Sequence, residues 1–297
     1  FKDLIKLWGT LDNQKEIDLD LSIGRISTDS RTIEKGDFFV PLVGNTFDGH
    51  DYLDMAFDLG IQAAVVSEKY NGLVPTDLPY WVVPDTLYAY QQIALLHRRN
   101  LSLPVVAVTG SVGKTTTREL IRAILSPLGE IVSSRGNENN DVGVPKTLLS
   151  GSETDAAFVL EMGMRGFGQI TRLSRVAEPD IAVITNVGQA HIGILGSREN
   201  IAKAKSEITS YLSPDGVVII PFGDYILEKA LLEKWSGRIV RVEIEGFSLN
   251  WLDCNDEHFA FQDIEPDYIS QIDMQNNFIL FEGRKFKLPL EGRHNAM

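Results

Sequence analysis

Cysteine, long apolar runs and positive charge are all scarce in this sequence of 297 residues. Cys254 is the only cysteine, so no intramolecular disulfide can form, which fits a reducing compartment. The longest apolar runs, such as Val105–Val108 and Val217–Pro221, have the length of a β-strand and fall far short of the ~20 residues of a membrane-spanning helix. The amino terminus does not have the pattern of a signal peptide. These features predict a cytoplasmic protein without membrane insertion.

Acidic residues outnumber basic ones, with 41 Asp and Glu against 28 Lys and Arg and a formal net charge of −13. Such a surface repels nucleic acid, although a local basic pocket can still bind an anionic ligand. The hydrophobic content of 43% and the charged content of 23% are ordinary for a globular protein. At roughly 100–200 residues per domain, the length predicts two domains.

The order of predicted elements divides the chain into a small α/β domain over residues 1–83 and a larger domain over residues 84–297. The stretch Leu73–Pro84 contains three prolines and is expected to include the linker. From residue 104 strands and helices alternate, which predicts a mostly parallel, doubly wound sheet. The alternation stops beyond Phe247, where three short segments predict a small antiparallel patch: Phe259–Phe261, Phe278–Phe281 and Lys285–Leu288.

A glycine-rich turn follows the apolar segment Val105–Val108. It reads Thr109-Gly110-Ser111-Val112-Gly113-Lys114-Thr115 and leads into a predicted helix near Thr116. Backbone N–H groups of such a turn and the amino end of a helix bind phosphate, while Lys114 can reach the β- and γ-phosphates and the Thr115 hydroxyl can hold Mg²⁺. The general pattern has glycine at position 108, where this chain has valine, and the shorter form occurs in a subset of ATP-using proteins. We therefore predict an ATP and magnesium site over residues 109–116.

Two further predicted strands end near residues that are suited to a metal. Glu161 follows one strand and His191 follows the next, and the carboxyl ends of parallel strands face one crevice. The Glu161 carboxylate is a ligand type that Mg²⁺ prefers, but it could equally be a solvated residue at a strand end. The His191 side chain could equally be structural or exposed. The predicted helix Glu199–Leu212 carries Lys203, Lys205 and Glu207, and residue type alone favours a solvated face for all three.

Several strings, in this order and spacing, resemble the Mur ligases, which build the peptide of bacterial cell-wall precursors. The strings are Thr28–Arg31, Gly36–Val40, Asn45–His50, Thr109–Thr117, Asn139–Pro145, Glu161–Gly166, Thr185–His191, Ala202–Glu207 and Gly292–Asn295. The resemblance spans essentially the whole chain. It implies a first domain that binds a UDP-sugar substrate and a central domain that binds ATP. The strings Glu161–Gly166 and Ala202–Glu207 favour the branch of the family that adds D-alanyl-D-alanine.

The resemblance implies a ligase that uses ATP to phosphorylate a carboxylate of UDP-N-acetylmuramoyl-tripeptide. The amine of D-alanyl-D-alanine then attacks the acyl phosphate to form an amide, with release of ADP and phosphate. Thr115 and Glu161 are implied to hold one Mg²⁺, and His191 helps to hold a second. Lys114, His191 and Lys205 are implied as catalytic. Lys205, rather than Lys203, is implied to be carbamylated to N6-carboxylysine and to act as a metal ligand, which reverses the solvated-face interpretation.

For the nucleotide-sugar, the resemblance implies contacts from Ser30 and Arg31, with Asn45 and Asn140 as further candidates. Each of these could instead only shape a turn. Asn295 is implied to contact adenine. We also expect a monomer, and a fragment that lacks the family's third domain. Two alternatives stay open, namely a related ligase that adds a single diamino acid and a non-catalytic module that binds a nucleotide-sugar.

Overall fold

The computed structural model describes residues 1–12, 18, 21–245, 265–273 and 278–287. The chain divides into two compact units, Phe1–His97 and Arg98–Met297. None of the helices in these described ranges is long and apolar enough to cross a bilayer.

The first unit contains a four-stranded sheet in which neighbouring strands run parallel, in the order β1-β2-β3-β4. The strands are β1 (Ile26–Ser27), β2 (Phe38–Phe39), β3 (Ala63–Ser67) and β4 (Tyr80–Val83). The helices are α1 (Lys2–Trp8), α2 (Leu53–Asp58) and α3 (Thr86–Leu101), together with short 3-10 helices at Ser30–Thr32 and Gly49–Tyr52. All five residues of β3 are buried, which explains why its sequence is an uninterrupted run of small and apolar residues.

The stretch Leu73–Pro84, which is expected to include the linker, contains a strand in its second half. Residues Tyr80–Val83 form β4, which pairs with β3, and the Trp81 side chain is fully buried. Pro79 and Pro84 lie just outside the strand, where the absence of an N–H group does not interrupt the ladder. Helix α3 runs across the division between the units, and the domain boundary at residues 83 and 84 stays a prediction.

The second unit contains a nine-stranded sheet in the order β13-β12-β11-β10-β9-β8-β5-β7-β6. The strands are β5 (Val105–Thr109), β6 (Ile131–Ser133), β7 (Ala157–Glu161), β8 (Ile181–Ile184), β9 (Val217–Pro221), β10 (Arg238–Glu245), β11 (Tyr268–Asp273), β12 (Phe278–Phe281) and β13 (Arg284–Lys287). The helices are α4 (Lys114–Leu125), α5 (Gly143–Leu149), α6 (Gln169–Ala177), α7 (Ile192–Leu195), α8 (Arg198–Ser206) and α9 (Tyr225–Leu232).

Neighbouring strands from β6 across to β11 are parallel, and β12 and β13 continue the sheet as an antiparallel hairpin. This arrangement confirms the predicted α/β class, with its mostly parallel sheet and small antiparallel patch. The expected strand at Phe259–Phe261 lies outside the described residues.

The middle of the larger sheet positions the candidate site. Strand β5 lies between β7 and β8, with Val108 opposite Glu161 and Thr109 opposite Ile184. Every residue of β5 and of β7 is buried, as expected for parallel strands that are covered on both faces. The carboxyl ends of these three strands therefore meet at one edge, and the segments that follow them converge there.

Candidate active site

The glycine-rich turn after β5 adopts a conformation that two of its glycines make possible. Gly113 has a φ of 80° and caps α4, a left-handed conformation that residues with a side chain rarely adopt. At Gly110 a residue with a side chain is excluded sterically, because an added Cβ would lie 1.8 Å from Thr185 Oγ1. The predicted order of strand, loop and helix is present, and α4 begins at Lys114 as the loop ends.

The segment after β8 holds the loop in place. The Ser111 N–H donates to the Asn186 carbonyl at 3.1 Å, and the Val112 N–H donates to Asn186 Oδ1 at 3.1 Å. The Thr185 hydroxyl donates to the Val112 carbonyl at 2.6 Å, and the Gly188 N–H donates to Ser111 Oγ at 2.9 Å. The amides of Ser111 and Val112 are thus occupied. The donors left for a phosphate are the first N–H groups of α4, which have no partner within the helix.

Lys114 and Thr109, two predicted site residues, have side chains that donate hydrogen bonds to backbone carbonyls. Lys114 Nζ donates to the Gly110 carbonyl at 3.0 Å, so its ammonium group lies across the loop at the amino end of α4. The Thr109 side chain is fully buried, and its hydroxyl donates to the Met162 carbonyl at 2.9 Å. Thr109 therefore ties the end of β5 to the end of β7, whereas Lys114 is placed to meet an anion.

Glu161 is the buried acid of the site, with a relative exposure of 3%. Its Oε2 accepts the Thr115 hydroxyl at 2.8 Å and Arg118 Nη1 at 3.4 Å, and its Oε1 accepts Asn139 Nδ2 at 2.8 Å. These donors satisfy both oxygens of a carboxylate in a buried position. Thr115 and Glu161, which the resemblance implied as ligands of one Mg²⁺, are thus joined by a direct hydrogen bond.

The sequence reasoning missed Arg118 as a member of this cluster. Arg118 lies one helical turn beyond Lys114 and three residues after Thr115, so all three project from neighbouring positions of α4. This spacing could have identified Arg118, since a helix that begins with a phosphate-binding lysine brings the residues of its next turn to the same crevice.

Of the two adjacent asparagines, Asn140 is the one predicted from the sequence to contact the nucleotide-sugar. The structure places Asn139 on Glu161, whereas Asn140 Oδ1 accepts the N–H groups of Val142 and Gly143 at 3.1 and 2.9 Å. Asn140 therefore shapes the turn into α5, which is the alternative that the sequence had left open.

Lys205 lies on α8 with a relative exposure of 1%, although residue type had favoured a solvated face. Burial, followed by the charge of Lys114, lowers the pKa of Lys205 to about 7. Lys203 does have the solvated position, with its side chain 47% exposed and its ammonium group 3.8 Å from Glu233. The solvated-face interpretation is thus correct for Lys203 and wrong for Lys205. It is also wrong for Glu207, which is buried because its carboxylate accepts backbone N–H groups at the start of α6.

His191 is exposed and precedes α7 in a left-handed conformation, with a φ of 67°. Desolvation lowers its pKa, and the positive charges of Lys205, Lys114 and Arg165 lower it further. Four basic groups from four different segments therefore influence the same region. Such a cluster attracts an anion.

The residues predicted to bind the nucleotide-sugar lie in the first unit. Ser30 is buried, and Arg31 is largely exposed and forms a two-pronged contact with Asp29, with Nε to Oδ1 at 2.8 Å and Nη2 to Oδ2 at 2.6 Å. Arg31 holds the pKa of Asp29 at about 2. Asn45 is exposed in a loop closed by the bridge between Val43 and Asp48. Asn295, predicted to contact adenine, lies outside the described residues.

The donors at this site fit a hard divalent cation that is also bound to a nucleotide. Thr115 donates its hydroxyl proton to Glu161, which leaves the lone pairs of Oγ1 available, and the Glu161 carboxylate lies beside it. Across the described ranges there is no group of three or more His, Cys, Asp and Glu side chains that could hold a metal. An ion at Thr115 would therefore take its remaining ligands from phosphate and water, as Mg²⁺ commonly does.

Two family models match the chain. The model described as "Mur ligase family, catalytic domain" matches residues 22–98, and the model described as "Mur ligase middle domain" matches residues 108–297.

Curated relatives that share one protein name match most of the chain. The UDP-N-acetylmuramoyl-tripeptide–D-alanyl-D-alanine ligase of Synechocystis sp. is 40% identical over 277 residues, which cover 93% of this chain and 56% of the relative. The protein of the same name from Bacillus subtilis is 38% identical and covers 92% of this chain and 56% of the relative. The chain thus spans a little over half the length of the curated relatives that it matches.

Solved structures show the same similarity. A crystal structure of MurF from Acinetobacter baumannii superposes with a TM-score of 0.79 at 31% identity, covering 99% of this chain and 61% of the other. MurF ligase from Thermotoga maritima in complex with ADP superposes with a TM-score of 0.72 at 26% identity, covering 89% of this chain and 57% of the other.

Proposed function

The chain belongs to the Mur ligase family, and we propose that it is the substrate-activating part of an ATP-dependent ligase that joins D-alanyl-D-alanine to UDP-N-acetylmuramoyl-tripeptide. The observation that carries this proposal is the bond between Thr115 and the buried Glu161, at the amino end of a helix that begins with Lys114. The names of the Synechocystis and Bacillus relatives support the choice of both substrates.

The proposed reaction begins with a carboxylate, which cannot acylate an amine until its oxygen becomes a leaving group. The carboxylate attacks the γ-phosphorus of ATP, which yields an acyl phosphate and ADP. The amine then adds to the acyl carbon, and the tetrahedral intermediate loses phosphate and a proton to give the amide. ATP and the carboxylate are both anions, so the site must reduce their repulsion before they meet.

We assign this task to the basic and hydroxyl groups of the second unit. Lys114 neutralises charge on the transferred phosphoryl group, and the first N–H groups of α4 orient the phosphates. Thr115 and Glu161 would hold Mg²⁺, and His191 would help to hold a second ion. Mg²⁺, when bound, supplies further positive charge to the phosphates. Because the reaction consumes ATP, we propose that it takes place in the cytoplasm.

We further propose that Lys205 carries a carbamate. Its pKa of about 7 keeps a substantial share of the amine neutral at physiological pH, and only the neutral amine attacks CO₂. The attack forms an N–C bond and releases one proton, which gives N6-carboxylysine. The product anion would lie near the positive charge of Lys114 and the His191 imidazole, so the modification lowers the repulsion within the basic cluster.

Carbon-13 NMR in labelled bicarbonate tests the carbamate. We expect a carbamate resonance in the wild-type protein and in Lys203→Ala, and none in Lys205→Ala. A small carboxylate should restore part of the lost activity of Lys205→Ala. Wild-type activity in Lys205→Ala would reject this role.

The nucleotide-sugar is proposed to contact Ser30 and Arg31, with Asn45 and Asn140 as further candidates from the sequence. Arg31 supports this assignment because it is a largely exposed cation. Its bond to Asp29 would have to loosen, or be shared, when a diphosphate binds. Asn140 has the weakest structural support, since its side-chain oxygen already accepts two backbone N–H groups.

Phosphate release by protein expressed from the complete gene tests the proposed ligase. We expect release that requires ATP, UDP-N-acetylmuramoyl-tripeptide and D-alanyl-D-alanine together, and loss of release in Lys114→Ala with an unchanged circular dichroism spectrum. Release with diaminopimelate or lysine in place of the dipeptide would instead indicate a ligase that adds a single diamino acid. Calorimetric binding of the nucleotide-sugar without any phosphate release would indicate a non-catalytic module.

A further inference from the structure

A buried arginine lies beside the acid of the site. Arg118 has a relative exposure of 3%, and its Nη1 lies 3.4 Å from Glu161 Oε2 and 3.4 Å from the Gly136 carbonyl. Its Nη2 forms a shorter bond, 2.6 Å, to Glu119 Oε1. The guanidinium group is thus anchored firmly at Glu119 and is only loosely attached to Glu161.

The donors of Arg118 are incompletely used. Within the part of the chain that the structure describes, the buried Nε of Arg118 has no hydrogen-bond partner. Buried guanidinium groups that only stabilise a fold usually have their donors paired, because an unpaired buried donor loses its bonds to water without replacement. A role beyond packing is therefore expected of this side chain.

Arg118 and the proposed metal share one oxygen. Glu161 Oε2 accepts from both Thr115 and Arg118, and Thr115 and Glu161 are the residues assigned above to Mg²⁺. A divalent ion at this position would meet the positive charge of Arg118 at the same carboxylate. Without a metal, the carboxylate would be buried without a nearby cation if Arg118 were absent, which is strongly unfavourable.

We infer that Arg118 is a resident counter-ion of Glu161 that a divalent metal displaces, so that it keeps the carboxylate in place beside Thr115 and weakens metal binding. The inference rests on the metal site of the proposed function. The long contact with Glu161 breaks when the metal binds, while the bond to Glu119 retains the guanidinium group nearby. Arg118 is a positioning residue in this scheme and does not touch the substrate.

Manganese binding in the presence of ADP tests the inference without any turnover. The electron paramagnetic resonance signal of free Mn²⁺ gives the dissociation constant for the wild-type protein, Arg118→Met and Arg118→Lys. We expect Mn²⁺ to bind about three- to tenfold more tightly to Arg118→Met, because a repelling charge is removed from the site. Arg118→Lys keeps the charge and should remain within about twofold of the wild-type value.

Arg122 provides the matched control. It lies one turn further along α4, is half exposed and bonds to Glu119 at 2.9 Å, without a contact to Glu161. Arg122→Met should therefore leave the dissociation constant unchanged. Thermal unfolding confirms that each variant is folded, and Arg118→Gln replaces Arg118→Met if the latter is not.

The outcomes distinguish a failure of this inference from a failure of the proposed metal site. Unchanged or weaker Mn²⁺ binding in the folded variant, Arg118→Met or its replacement Arg118→Gln, overturns the inference, since a purely structural arginine would give that result. If the wild-type protein with ADP binds no Mn²⁺, the metal site of the proposed function is itself wrong.

Discussion

The Thr115 hydroxyl donates a hydrogen bond of 2.8 Å to Glu161 Oε2, which joins the first turn of α4 to the carboxyl end of β7. The direction of this bond matters chemically. Because the proton is committed to the carboxylate, the oxygen of Thr115 presents its lone pairs to the space above the loop. A residue that could be either donor or acceptor is thereby fixed as a ligand for a cation.

Replacing Thr115 tests this arrangement. Thr115→Val keeps the shape but removes the oxygen, so we expect Mg²⁺-dependent binding of ADP to weaken by about 10- to 100-fold. Thr115→Ser keeps the oxygen and should retain most of the affinity. Isothermal titration with and without Mg²⁺ measures the difference, and an unaltered Mg²⁺ dependence in Thr115→Val would exclude Thr115 as a ligand.

Gly110→Ala should disrupt the phosphate loop, because the new Cβ would lie 1.8 Å from Thr185 Oγ1. We expect the free energy of unfolding to fall by about 1–3 kcal/mol, as is typical of overpacking, with a loss of ADP affinity. Urea unfolding and ADP titration measure the two effects. Gly193→Ala is the control, since an added Cβ there has no atom within 4 Å, and equal losses in the two variants would contradict the steric explanation.

The lowered pKa of Lys205 predicts a pH-dependent stability. Between about pH 7 and 10.5 the unfolded chain binds a proton that the folded chain does not, so the free energy of unfolding rises with pH across this window. Below about pH 7 both states are protonated, and the full penalty of the buried charge remains. Lys205→Met removes this penalty, so it should be more stable than the wild-type protein below pH 7 by about 5 kcal/mol.

The stability difference between Lys205→Met and the wild-type protein should shrink as pH rises towards 10.5. Urea unfolding in CO₂-free buffer measures it, since carbamylation would otherwise add a second effect. Lys203→Met, at the solvated position on the same helix, should show a difference that does not change with pH. A flat difference for Lys205→Met as well would show that the lysine is not buried as described.

Glu207 is predicted to act in stability rather than in chemistry. Its Oε1 accepts the Gly168 N–H at 2.7 Å and its Oε2 accepts the Thr171 N–H at 3.2 Å, so it caps the amino end of α6 from another segment. Glu207→Gln should lower the free energy of unfolding by about 1 kcal/mol, a usual value for a cap. Thermal unfolding and phosphate release distinguish the roles, because a catalytic Glu207 would lose activity without this loss of stability.

Regular patterns made part of the fold predictable. The helix predicted to begin near Thr116 is α4, which begins two residues earlier at Lys114, because glycine marks its start and its apolar residues follow a helical period. The helix predicted at Glu199–Leu212 is α-helical only to Ser206 and continues as a 3-10 helix, Glu207–Tyr211. The sequence contains no sign of that change, since it coincides with the distant bonds that Glu207 forms.

The site was predictable in its elements and less so in its individual side chains. The position of Glu161 at the end of a strand made it a candidate from the sequence alone. Neighbouring residues such as Asn139 and Asn140 carry the same side chain, and only the backbone conformation decides which of them contacts Glu161. The burial of Lys205 depends on elements that cover α8 in three dimensions, which no local pattern encodes. The family resemblance indicated Lys205 where charge patterning had indicated solvent.

The order of strands in the larger sheet has a consequence for synthesis of the protein. Strand β5 precedes the phosphate loop, yet both of its neighbours, β7 and β8, come much later in the chain. The bonds that fix Val112 come from Thr185 and Asn186, so a ribosome-bound chain must emerge past these residues before the loop has its support. Nucleotide affinity on the nascent chain should therefore appear abruptly at that length, long after the loop itself has left the ribosome.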